Sequence, residues 1–135
     1  MALDPTVWGP HFWFTLHTIA FTYPSNPNEV TRKKYYDFIQ NLPLFLPIPE
    51  IGNSFARLLD KYPVTPYLDS RKSFMKWMHF IHNKIRKGCG HLEIDMEEAI
   101  NIYKSHYIPK EKVDIDNKKI RRYKIYGSVV GILLI

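Results

Sequence analysis

A chain of 135 residues, 45% apolar and 15% aromatic, is long enough to bury one core and too apolar to be disordered. Its one cysteine, Cys89, excludes an internal disulfide and a thiolate metal centre. The formal charge of +6 is uneven: Lys110–Lys124 holds seven Lys/Arg against three Asp/Glu, and residues 1–109 hold twelve against ten. A near-neutral body with its positive excess in one C-terminal segment argues against a nucleic-acid binder, which needs a basic face for phosphates.

The first ten residues have neither the basic start nor the apolar run of a signal peptide. Asp4-Pro5 and Gly9-Pro10 read as breakers in an extended lead-in, and the first helix is predicted from Pro10 to about Tyr23. Trp13, Leu16, Ala20 and Tyr23 share its inner stripe, with His17 beside them. Asn26, Pro27 and Glu29 form a capping box for a second helix ending near Leu42, with Tyr35, Phe38, Ile39 and Leu42 inward. Pro43, Pro47 and Pro49 stiffen the next connection. A third helix is predicted from Pro49, carrying Ile51, Phe55, Leu58 or Leu59, and Tyr62 inward, until Pro63 and Pro66 close it.

The fourth helix, from Arg71 to about Lys87, has the clearest periodicity: Phe74, Trp77, Met78, Ile81 and Ile85 fall at i, i+3, i+4, i+7 spacing. Asp69 or Ser70 caps its start. Its other end places His82 and Asn83 near the Trp77 indole, which serves a planar ligand with polar edges or equally a buried amphipathic helix with a solvated end. Asp95-Met-Glu-Glu98 opens a fifth helix through Tyr107, with Ala99, Ile102 and Tyr103 as its stripe. With no period-two alternation, the chain reads as all-α: a four-helix bundle plus a short fifth helix over residues 5–108, followed by a tail over 109–135. The tail sets a basic cluster at Lys118–Lys124 against an apolar run from Ile125 to Ile135. Eleven residues are too few to span a bilayer, so the run suits an interfacial anchor, a truncated span or a terminal element packed on the bundle. His79 and His82 lie three apart on one helix, but no acidic partner stands at a metal-ligand spacing.

Several stretches taken together resemble the Erv/ALR family of flavin-linked sulfhydryl oxidases, above all the short versions of large DNA viruses. They are Trp8-Gly-Pro-x-x-Trp13-x-x-x-His17, Tyr23-Pro24, Phe38 before a Leu-Pro connection, Phe55, and Arg71-x-x-Phe74-x-x-Trp77-x-x-x-x-His82-Asn83-x-Ile85. The resemblance implies a helical bundle that binds FAD non-covalently, oxidises protein dithiols with oxygen as acceptor, and forms a homodimer. By motif, Trp13, His17, His82 and Asn83 would contact the FAD, with Tyr23, Trp77 and Ile85 as pocket neighbours and Arg86 near a phosphate. It also implies a viral setting, on the cytoplasmic side of the host cell or in the virion, while the apolar run offers a membrane contact through 125–135.

The departure from the family pattern is chemical. Where the family carries Cys-x-x-Cys at the start of the third helix, this chain reads Ile48-Pro49-Glu50-Ile51. A helix N-terminus lowers a thiol pKa, and a neighbouring thiol resolves the adduct formed with the flavin. Isoleucine can do neither, and Cys89 stands alone beyond the fourth helix. The expectation is a chain that binds FAD but oxidises thiols poorly or not at all. The alternative is an interaction or scaffold protein that keeps the bundle without FAD.

Overall fold

The first helix begins earlier than its prolines suggest. The computed structural model describes residues 1–109, 117–119 and 121, and α1 runs from Pro5 to Phe21 with Asp4 as its cap. Asp4 accepts from the Thr6 amide at 2.8 Å, satisfying an otherwise unpaired donor. Pro10 therefore lies inside the helix instead of opening it. It lacks an N–H, yet side chains bridge the weak point: the Trp8 ring meets Phe12 edge-on at 5.4 Å, and its indole donates to the Leu3 carbonyl at 3.1 Å.

The second helix, α2, spans Glu29–Asn41 with Asn28 as its cap, accepting from the Thr31 amide at 2.8 Å. The cap expected at Asn26 falls two residues later, and Glu29, expected at the third helical position, is the first. Ile39 and Leu42 are buried as expected, whereas Phe38 is 39% exposed. A short 3-10 turn, Leu42–Phe45, leads to α3 at Pro49–Lys61, whose buried residues are Gly52, Phe55 and Leu59. Then α4 runs Arg71–Gly88 under the Ser70 cap, burying Phe74, Trp77, Met78 and Ile81. It ends where Gly90 adopts φ +81°, a conformation that side-chain-bearing residues rarely take. Finally, α5 covers Met96–Ser105, and Asp95 accepts from the Glu98 amide at 2.8 Å. Among the described residues there is no strand.

The chain divides into two compact units, Met1–Ala99 and Ile100–Ile135, so the division falls within α5. In the first unit the most extensive helix pairing is α1 against α4, while α2 and α3 both pack on the 3-10 turn between them. An aromatic knot closes the bundle: the Tyr23 ring lies 4.6 Å from Tyr35 and 5.1 Å from Phe74. The Tyr23 hydroxyl donates to the Leu68 carbonyl at 2.7 Å, and Arg71 donates to the Tyr23 carbonyl. Tyr23→Phe strands that buried carbonyl and is expected to lower the unfolding free energy by about 1–3 kcal/mol, read from urea denaturation midpoints. No helix among the described residues is long and apolar enough to cross a membrane. The run from Ile125 to Ile135 lies outside the described residues.

Candidate functional site

Trp13 and His17 stand one turn apart on α1, and the α1–α4 pairing carries them to His82. The Trp13 and His82 rings are parallel to within 5°, with centroids 3.9 Å apart. His17 Nε2 lies 2.9 Å from His82 Nδ1, so one imidazole donates its N–H to the lone pair of the other. That bond requires a bare lone pair on one of the two facing nitrogens, so both cannot be protonated there. Burial pushes His17 down to about 4, with nearby His79 adding to the effect. It pushes His82 down to about 3, reinforced by His17, Arg86 and His79. At neutral pH the pair is therefore uncharged.

The result is a half-buried aromatic platform with nitrogen at its edge. Neither His17 Nδ1 nor His82 Nε2 has a hydrogen-bond partner among the described residues. Trp13 and His82 already touch face to face, leaving no room for a ring between them. A planar heterocycle would pack against the platform's outer side and meet polar nitrogens there.

The other expected site residues make contacts of their own. Tyr23 is fully buried in the aromatic knot. Trp77 is 2% exposed and donates its indole N–H to the Tyr62 carbonyl at 3.1 Å. Both hold the bundle together behind the platform, because the α4 periodicity that made Trp77 conspicuous also points it inward. Ile85 is half-buried against the core. Asn83 binds the segment after α4: its Nδ2 donates to the Ile94 carbonyl at 2.8 Å, and the Ile94 amide donates to its Oδ1 at 3.2 Å. Arg86 Nε donates to the Leu92 carbonyl at 3.0 Å. These two side chains thus anchor the segment that follows α4. His79 joins the same group, since Asn83 Nδ2 also lies 3.2 Å from His79 Nε2. Its i, i+4 spacing from Asn83 was the sequence signal for that contact.

Ile48 and Ile51 flank the start of α3. Ile48 is its cap residue without a side-chain cap bond, and its carbonyl accepts from the Ile51 and Gly52 amides at 3.1 and 3.0 Å. Both side chains are half-buried. Cys89 is exposed at the C-terminal end of α4. Among the described residues no three His, Cys, Asp or Glu side chains gather as a metal-ligand set.

Comparison with known proteins gives this arrangement its context. A protein of Acanthamoeba polyphaga mimivirus named a probable FAD-linked sulfhydryl oxidase is 33% identical over 111 residues, covering 82% of this chain and 78% of that protein. The FAD-linked sulfhydryl oxidase of African swine fever virus is 30% identical over 96 residues, covering 71% and 79%. Among solved structures, the core of yeast Erv1 superposes with a TM-score of 0.67 at 22% identity, over 78% of this chain and 85% of that one. Its fold is the same all-helical one. The sequence model of the Erv1 / Alr family matches residues 10–107, a span that takes in Trp13, His17 and His82 alike. By that match this chain belongs to the Erv1 / Alr family.

Proposed function

We propose that this chain binds FAD on the Trp13–His17–His82 platform but does not itself oxidise dithiols. The observation that carries the first half is the platform: a parallel indole–imidazole stack at 3.9 Å, edged by neutral imidazole nitrogens. Such a surface accepts a flat, nitrogen-rich ring, and similar proteins are named FAD-linked. Charge adds to the fit. Helix α4 carries Arg71, Lys72, Lys76, Lys84, Arg86 and Lys87 with no acidic residue, which favours a pyrophosphate nearby. Bound there, FAD would supply a two-electron acceptor.

The second half rests on what stands at the start of α3. Dithiol oxidation needs a thiolate to attack and a second thiol to complete the disulfide, with the electron pair passing to the acceptor. Ile48 and Ile51 offer no sulfur, and Cys89 has no partner in the sequence. Thiol substrates and a homodimer follow from the family resemblance; the exposed Val30 and Phe38 of α2 support the dimer, which light scattering on the purified chain would test.

Purified protein is expected to be yellow, with flavin absorbance near one FAD per chain, and to consume little oxygen with dithiothreitol. Ile48→Cys combined with Ile51→Cys is expected to raise that oxygen consumption at least tenfold. Turnover by the unaltered chain equal to that of the double variant would refute the missing couple. A colourless protein that takes up no added FAD would favour the scaffold reading.

A further inference from the structure

Residues 89–95 run back along α4, pinned at successive levels. The Cys89 amide donates to the Ile85 carbonyl at 3.0 Å and the His91 amide to the Arg86 carbonyl at 2.9 Å. Arg86 then reaches the Leu92 carbonyl at 3.0 Å, and Asn83 grips both sides of Ile94. The strap therefore ends level with the turn of α4 that carries His82.

The grip on Ile94 depends on which way the Asn83 amide faces. Flipped by half a turn, it would set Nδ2 against the Ile94 N–H and Oδ1 against the Ile94 carbonyl, losing both bonds. The two Ile94 bonds favour one face, and a third contact adds to that selection. His79, one turn earlier on α4, places Nε2 3.2 Å from Asn83 Nδ2. A lone pair on that nitrogen accepts the second amide N–H, whereas a flipped amide would bring oxygen against it. We infer that His79 is a positioning residue: its Nε2 lone pair orients the Asn83 amide, and through it fixes the Gly90–Asp95 strap beside the Trp13–His82 platform. The contact needs the neutral ring with its proton on Nδ1. Burial, the largest influence, holds the His79 pKa below the ordinary histidine value, against the opposing pull of the Ile94 carbonyl and Asp95. The link from strap to bound flavin rests on the FAD reading above; the orientation of Asn83 does not.

His79→Gln keeps an acceptor near the position of Nε2, while His79→Leu removes it at similar volume. Amide hydrogen exchange at Ile94, followed by NMR on the full chain, is expected to accelerate about tenfold in His79→Leu and to stay within about twofold of the parent in His79→Gln. FAD dissociation constants, measured by fluorescence quenching, are expected to follow the same order. Unchanged Ile94 exchange in His79→Leu overturns the role, and so does equal acceleration in both variants. Faster exchange with an unaltered FAD constant overturns the link to the platform. If neither the parent nor the variants bind FAD, the cofactor reading fails, and the exchange result still decides the role of His79. Asn83→Asp provides an arm that does not require removing the ring. A carboxylate oxygen facing Nε2 favours a proton there, so His79 is expected to titrate at higher pH by NMR. An unchanged titration overturns the contact.

Discussion

Replacing Gly52 by alanine is expected to cost about 3 kcal/mol of stability, the largest loss from adding one methyl group in this fold. A Cβ built there lies 2.4 Å from the Pro43 carbonyl oxygen and 3.4 Å from the Pro43 carbonyl carbon. Those atoms are backbone, so no rotamer change relieves the contact. Instead α3 must move away from the 3-10 turn, dragging the buried Phe55 and Leu59 with it. Gly88 supplies the control, since an added Cβ there meets nothing within 4 Å. Gly88→Ala is expected to change the unfolding free energy by less than about 0.5 kcal/mol. Urea denaturation of the two variants measures both, and a Gly52→Ala midpoint equal to that of the parent would show that α3 tolerates the shift.

The residues that could be read from sequence are those whose signal is periodic. Phe74, Trp77, Met78 and Ile81 recur at helical spacing, and all four are buried. The Trp13-x-x-x-His17 and His82 elements were legible for a different reason. Aromatic and imidazole groups are costly to place without a partner, and their spacing matched a known pattern. The structure brings these three rings together across α1 and α4.

What escaped was set by contacts between distant parts of the chain. Gly52 looks like an ordinary helix residue until Pro43 is seen beside it. Asn83 looks like a ligand group because its amide is polar and next to His82, but Ile94, eleven residues on and without polar side-chain atoms, occupies both of its hydrogen-bonding atoms. Trp77 was read by resemblance as a pocket neighbour, and the sequence held no sign that its N–H is taken by the Tyr62 carbonyl. The start of α1 was misplaced because prolines were read as breakers, while Asp4 capped the helix ahead of them. In each case a residue's chemistry was readable, while the backbone group within its reach was not.

Acid is expected to destabilise this protein well before its carboxylates titrate. In the unfolded chain His17 and His82 take up protons near pH 6.5, whereas burial in the fold holds them down to about 4 and about 3. Their folded values are lowered, so the unfolded chain binds more protons in this range. Stability from the pair is therefore complete above pH 6.5 and is lost progressively as the pH falls toward 4. One unit below 6.5, each ring forfeits roughly 1.4 kcal/mol, giving a loss of about 3 kcal/mol by pH 5.5. His79 shifts in the same direction and adds to the slope. Asp4, whose carboxyl is lowered by its bonds to Thr6, contributes stability that is kept throughout this interval and lost only below the ordinary carboxylate range. Urea midpoints at pH 7.5 and 5.5 measure the loss. His17→Gln combined with His82→Gln removes both titrating groups, so its midpoint is expected to fall by less than half as much over the same interval. If the parent is equally stable at the two pH values, or the double variant loses as much as the parent, the two imidazoles are not held neutral by the fold. The platform would then carry charge as the pH falls through 6.5.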